Sequence, residues 1–484
     1  MALIRPDGAP PAFGFPAMPE AVARIPRELA FTHDILPLNI VEGILVVALP
    51  DPDDADVLDV LRAATRLRVR ALPMEREAIR DHLRRAYGEA APVLRAAGRD
   101  APAVRMLDQI LARAIAAHAS DIHLEPRSGG SGQVRMRVDG VLRPLESVPG
   151  DLFAAVSSRL KLLAGMNIAD RRQPQDGRCA IPFEAREIDA RVSSVPTVDG
   201  EKLVVRLLDR YGAMPDLGRL GMPPAMLERY RAAARAPWGC VVVAGPTGSG
   251  KTTTLYASLA ELDVASRNVC SVEDPIEMRV AGVTQVQVNP RAGLTFPTVL
   301  RAFMRQDPNV VMVGEMRDRE TAAVAVAAAL AGQTVFTTLH ANDAPRTIER
   351  LVELGAARHA LAGALTAIVA QRLVRTLCER CRVREAVPER VRATLDSAPE
   401  GWFVARGCRA CSGTGYVGRT GVYELIDVDD ATRDAIAGGA SSVQVAHAAR
   451  AAGFRPLIAD GLAKVFGGIT SFDEIVRVVA WSGL

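Results

Sequence analysis

The sequence predicts an α/β chain of more than one domain, and three observations predict it. The chain has 484 residues, too many for a single core. Through its second half, apolar β-branched runs alternate with helical stretches, the order that builds a largely parallel sheet covered by helices. One of those runs, "VVVAGPTGSGKTTTLY", breaks into glycines and restarts as a helix, so a buried strand turns sharply around something.

In chain order, residues 1–28 are rich in proline and alanine and read as mobile. Residues 29–88 read as a small α/β unit. "GILVVALPDPDD" is a strand and turn, "ADVLDVLRAATRL" a helix, "RVRALPM" a strand and "EREAIRDHLRRAYG" a helix. A linker follows at 89–102. A helix from Val104 leads into a second unit with strands at "QVRMRVDGVLRPL", "EIDARVSSVP" and "KLVVRLLD", where charged and apolar residues alternate. Residues 211–220 read as a second linker. Strands are then expected at 239–244, 268–273, 283–288, 309–313 and 333–339, with helices between them. The stretch from about 421 reads as helical, and no internal repeat is visible.

Composition narrows the function classes. Basic residues number 59 and acidic residues 56, so bulk charge offers no attraction to nucleic acid or an anionic membrane. Aromatics are 4%, which leaves few platforms for stacking single strands. The longest apolar run, 322–331, is too short to span a bilayer, and the first residues, "MALIRPDGAPPAFGFP", lack the apolar segment of a signal peptide. The expectation is a cytoplasmic protein that meets a membrane only through partners.

The glycine turn has the spacing G-x-x-x-x-G-K-[ST] between a strand and a helix, the pattern of a nucleotide-phosphate loop. Glycines let successive N–H groups face an anion, and the helix N-terminus points at the same place. Gly245, Pro246, Thr247, Gly248, Ser249, Gly250, Lys251, Thr252 and Thr253 are therefore expected to hold the phosphates of a nucleotide. Lys251 adds charge, and the Thr252 hydroxyl is placed to sit on Mg2+. Acidic groups at other strand ends would complete such a site. Glu315 ends "VVMVGE" and suits the magnesium ion or its water. Glu273 ends "VCSVE" and suits the attacking water, although the two roles could exchange. His340 ends "TVFTTLH", where it could touch the terminal phosphate. Arg191 and Arg206 lie on strands of the second unit. Spacing alone leaves them equally as arginine fingers or as solvated strand residues.

Seven cysteines are present in a chain expected to be kept reduced. Cys240 and Cys270 sit in apolar strands and read as core. Cys378, Cys381, Cys408 and Cys411 form two C-x-x-C pairs on either side of 382–407, the thiolate set of a structural zinc site.

Taken together, "ASDIHLEP", "RRQPQDGR", "GEKLVVRLLD", "GPTGSGKTTTLY", "VEDPIE", "RQDPNVVMVGEMRD" and "TLHANDA" resemble the ordered motifs of the secretion ATPases of the type II secretion and type IV pilus superfamily. The likeness runs from about Val104 to the end. It implies a PAS-like domain at 99–215 followed by a RecA-like P-loop ATPase domain at 216–484. That second domain would carry a zinc-binding insert at 376–420 and a helical C-terminal tail. It also implies a homohexamer, ATP bound between the two domains, and arginines at positions matching Arg191 and Arg206 that reach the phosphates. Residues 1–98 resemble the short N-terminal domain and linker of general secretory pathway protein E. Such a domain docks on the cytoplasmic part of an inner-membrane partner, and the ring then works on an inner-membrane platform protein. The implied function is ATP hydrolysis coupled to pseudopilus assembly and protein export. Rival expectations are a type IV pilus extension ATPase, a hexameric nucleic-acid motor and a scaffold that binds nucleotide without hydrolysing it.

Overall fold

The computed structural model describes residues 18–22, 24–25, 29–30, 33–41, 43–65, 67–87, 101–183, 186–208, 214–393 and 399–479. The chain divides into two compact units, Met1–Asp108 and Gln109–Leu484.

The first unit holds a three-stranded sheet, β1 (Leu36–Val41), β2 (Ile44–Leu49) and β3 (Arg68–Pro73). β2 and β3 run parallel, joined through the helix Ala55–Thr65, as the sequence leads one to expect. β1 was not among the expected strands; Pro37 and Asn39 interrupt its run of apolar residues. It pairs with β2 around an irregularity between those two positions. Leu45, Val47, Leu61, Ile79 and Leu83 are fully buried between sheet and helices. Part of the stretch expected to be mobile is ordered, since Pro19–Val22 is helical and Ala21 and Ile25 are buried in the same cluster. Residues 1–17 and most of the expected linker at 89–102 lie outside the described residues.

The second unit begins with six antiparallel strands: β4 (Asp121–Pro126), β5 (Gly132–Val138), β6 (Val141–Val148), β7 (Gln175–Phe183), β8 (Arg186–Thr197) and β9 (Gly200–Leu208). Their order is β6-β5-β4-β9-β8-β7. The run "QVRMRVDGVLRPL" folds as the hairpin β5–β6. Its turn, Asp139–Gly140, has φ of 49° and 80°, the left-handed region that aspartate and glycine tolerate. β4 and β7 were not foreseen as strands, since their charged residues and a proline mask the alternation.

The larger sheet has seven strands: β10 (Gly239–Ala244), β11 (Val269–Glu273), β12 (Val283–Gln287), β13 (Val310–Val313), β14 (Thr334–Leu339), β15 (Leu365–Leu377) and β18 (Tyr416–Asp427). Between the last two come the short hairpin strands β16 (Val383–Ala386) and β17 (Gly401–Val404). The order is β12-β11-β13-β14-β10-β15-β18, parallel except for β18 against β15. All six residues of β10 are buried. Val242 and Ala244 enter one apolar cluster and Val241 and Val243 another, so helices cover both faces. This is the α/β architecture expected.

Two readings are corrected. The chain from 421 is not helical at first: β18 runs to Asp427, and helices begin at Asp430. Antiparallel pairing with β15 decides this, a partner that local sequence does not reveal. In the expected linker at 211–220, Leu217 is buried and packs into the core beneath β10.

Candidate functional site

β10 lies inside the sheet with β14 on one side and β15 on the other, so a crevice forms at its carboxyl end. Residues 245–250 leave the strand there and lead into the helix Lys251–Ala260. Gly248 and Gly250 have φ of 77° and 87°, which residues with a Cβ rarely adopt. A Cβ on Gly245 would come 2.5 Å from Ser249 Oγ and 2.7 Å from the Gln371 carbonyl oxygen. The glycines are thus required by backbone direction and by close approach.

A cavity of about 440 Å³ opens above this loop. Thr247, Gly248, Gly250, Lys251, Thr252 and Thr253 line it from the loop and helix. Glu273 and Glu277 line it from the end of β11, Glu315 and Arg317 from β13, and His340 from β14. Lys251, Thr252, Glu273, Glu315 and His340, picked separately from the sequence, therefore converge. Gly245, Pro246 and Ser249 do not line the cavity.

The Lys251 ammonium donates to the Gly245 and Pro246 carbonyls at 2.9 and 3.0 Å. Burial pulls its pKa down to about 8; the Glu315 carboxylate opposes this and Arg372 adds to it. A phosphate group would supply the negative charge this ammonium lacks. Glu315 pairs with Arg317, and its other oxygen lies 3.8 Å from His340 Nε2. Burial lowers the His340 pKa, helped by the charge of Lys251, so the ring is neutral at pH 7.

Glu273 is 2% exposed and fully engaged. It accepts from Ser271 Oγ at 2.6 Å, from Gln285 Nε2 at 3.1 Å and from the Tyr256 hydroxyl. Glu277 is held differently. Burial raises its pKa, the Glu273 charge adds to the rise, and Arg191 and Arg206 oppose it.

Arg191 and Arg206 face each other across β8 and β9. They line a separate cavity of about 410 Å³ on the six-stranded sheet, with Asp121, Asp176 and Arg178. Arg206 Nε donates to Asp121 Oδ1 at 3.1 Å. Neither guanidinium lines the phosphate-loop cavity. Both come within electrostatic range of Glu277 instead. Sequence reading also missed Arg317 and Arg419, which do line the loop cavity. Arg317 stands two residues past Glu315 and could have been found. Arg419 carried no local signal. It reaches the cavity from β18, paired with Asp139 of the β5–β6 turn at 3.3 Å.

The four clustered cysteines bracket the β16–β17 hairpin. Their sulfurs lie within 4.8 Å of one another, and they are the group among the described residues that could hold a metal ion. The Cys378–Cys408, Cys381–Cys411 and Cys408–Cys411 separations are 3.9, 3.8 and 3.8 Å. Four thiolates about 2.3 Å from a tetrahedral zinc ion would stand about 3.8 Å apart, so the donor set fits that ion. At Cys411 burial raises the thiol pKa, but N–H groups of Cys408 and Gly415, each 3.1 Å from the sulfur, together with the Cys408 and Cys381 thiols outweigh it and bring the value to about 6. Cys240 and Cys270 are core residues, 1% and 2% exposed. Among the described residues no helix is long and apolar enough to cross a membrane.

Comparison with known proteins agrees with this geometry. The chain is 46% identical over 378 residues to the type II secretion system protein HxcR of Pseudomonas aeruginosa, covering 78% of this chain and 77% of that one. It is 38% identical over 493 residues to the type IV pilus assembly ATPase PilB of Myxococcus xanthus, covering 96% and 87%. The X-ray structure of the ATPase DotB of Legionella pneumophila shares the fold, with a TM-score of 0.57 at 21% identity over 77% of this chain and 95% of that one. Residues 12–93 match the MshEN domain. Residues 96–477 match the type II/IV secretion system protein family, and the chain belongs to that family.

Proposed function

We propose that this chain is the ATPase of a type II secretion system, hydrolysing ATP to drive pseudopilus assembly and protein export. The observation that carries the proposal is the convergence of Lys251, Thr252, Glu315 and His340 around one glycine-built loop, in a chain of this family. Loop amides and Lys251 bind the phosphates, and Thr252 with Glu315 would hold Mg2+, which neutralises charge that builds up on the transferred phosphoryl group. His340, neutral and beside Glu315, contacts the terminal phosphate. The water-orienting carboxylate is Glu273 or Glu277. Glu277 has the better claim, because the three donors on Glu273 leave it little freedom. Arg191 and Arg206 stabilise the transition state once the six-stranded sheet moves toward the loop. The cysteine cluster holds Zn2+ as a structural ion, since four thiolates leave no open position.

The chain works as a cytoplasmic homohexamer that reaches the inner membrane through partners. Those partners are the cytoplasmic domain of an inner-membrane secretion protein, met by the N-terminal unit, and an inner-membrane platform protein. ATP and ADP bind different arrangements of the second unit with different affinity, and that difference drives the motion. Lys251→Ala is expected to abolish phosphate release while circular dichroism and the melting temperature stay unchanged. Normal turnover in that variant would refute the site.

A second reading, a type IV pilus extension ATPase, draws support from the match to PilB along nearly the whole chain. Co-purification of the full chain with the platform protein of a secretion operon or of a pilus operon separates the two.

A further inference from the structure

Beneath the phosphate loop lies a side chain that no motif pointed to. Gln371, on β15, is 1% exposed. Its Nε2 donates to the Ser249 carbonyl oxygen at 2.7 Å, and its Oε1 accepts from Thr254 Oγ1 at 2.8 Å. One amide thus ties the last turn of the loop to the first turn of the helix that follows. Its backbone matters too. The Gln371 carbonyl oxygen is one of the atoms a Cβ on Gly245 would strike, and Nε2 lies 3.2 Å from where a Cβ on Gly250 would be. The glycines at both ends of the loop close on this one residue.

In a trans peptide the carbonyl and the following N–H point in opposite directions. Fixing the Ser249 carbonyl on Gln371, underneath, turns the Gly250 N–H the other way, toward the cavity that Gly250 lines. Gln371 itself does not line that cavity.

We propose that Gln371 is a positioning residue for nucleotide binding: by holding the Ser249 carbonyl and the Thr254 hydroxyl it aims the Gly250 amide at a bound phosphate. The inference rests on the nucleotide reading of the loop. With Gln371 removed, the Ser249–Gly250 peptide is free to rotate, and the cradle loses a donor that acts on ground state and transition state alike. Losing such uniform binding raises KM and leaves kcat nearly unchanged.

The test uses the full chain with Mg2+, measuring steady-state ATP hydrolysis and equilibrium binding of ATP and ADP. Gln371→Met keeps the side-chain length and removes both hydrogen bonds. Its KM for ATP and its Kd for both nucleotides are expected to rise by about ten- to a hundredfold, the range for one lost hydrogen bond to a charged group. Its kcat is expected to stay within about twofold. Thr254→Val keeps the bond to Ser249 and is expected to raise KM by less. Adding it to Gln371→Met should change KM no further, since the two side chains act as one unit. A folded Gln371→Met with wild-type KM overturns the inference and leaves the nucleotide site standing. Additive effects of the two substitutions also overturn it. If Gln371→Met does not fold, Thr254→Val alone decides: wild-type KM and nucleotide Kd values count against the brace. Failure of the wild-type chain to bind either nucleotide removes the underlying reading and the inference together.

Discussion

The phosphate loop and the four-cysteine insert are both short, glycine-bearing segments hung from the same sheet, yet they are held in opposite ways. The loop at 245–250 gets its shape from backbone. Left-handed glycines, a buried strand behind and a helix ahead set its path, and a single buried side chain, Gln371, braces the Ser249–Gly250 peptide. Val387, Val391 and Trp402 of the insert pack onto the main core, with Trp402 stacked on Phe472 at 4.6 Å. The insert's shape depends on side chains meeting at one point, four sulfurs that would repel as thiolates unless a cation joins them. A loop of the first kind is ready before its ligand arrives. A loop of the second kind would need an ion at its four sulfurs in order to hold its shape.

The widest effect should come from breaking the loop's charge. Lys251→Ala is expected to reduce turnover by about a thousandfold or more, the scale on which a phosphoryl-transfer cation acts, with no loss of secondary structure. A large drop in melting temperature would mean that the loop, like the insert, is held by side chains. Cys411→Ser, or chelation of the ion, should act the other way round. Limited proteolysis is expected to cut within 378–411 while nucleotide binding persists. Protease resistance equal to wild type would remove the contrast.

The base of the insert gives a sharper measure. Glu474, 1% exposed, accepts from Arg375 and Arg477, and Arg375 lies over the Tyr416 ring at 4.0 Å. Burial would raise the Glu474 pKa, but the hydrogen bonds of Arg477 and Arg375 together outweigh it and hold the carboxyl at about 2, below its ordinary 4.5. A lowered acid stabilises the fold above its unfolded pKa and loses that contribution as pH falls through the folded value. Glu474→Gln is therefore expected to cost about 3 kcal/mol at pH 7. The deficit should shrink between pH 4.5 and 2 in urea titrations. A deficit independent of pH would mean that packing, not charge, ties the insert down. The smallest effect is expected at Glu385, paired with Arg406 on the hairpin with both side chains well exposed. Glu385→Gln should change stability by less than about 1 kcal/mol, and added salt should erase the difference.

Legibility in the sequence followed the same division. Residues 239–273 could be read directly, because strand, loop and helix are contiguous and each glycine has a local reason. The cysteines could be read because thiolate pairs have few other uses in a reduced chain. β15 and β18 could not, since β18 becomes a strand through its partner. For the same reason Gln371, Arg419 and the seating of Glu277 near two arginines escaped notice. Arg191 and Arg206, singled out together from the sequence, face each other across β8 and β9 but line a neighbouring cavity.

By itself the sequence determined that this protein carries a glycine-built turn from strand to helix and a four-cysteine cluster, because both are written within short stretches of chain. Tertiary structure alone decided that Gln371 braces the turn and that Arg419 borders its cavity. Both come from strands more than a hundred residues further along the chain, brought beside the turn by sheet order, and a contact across that distance leaves no trace in local pattern.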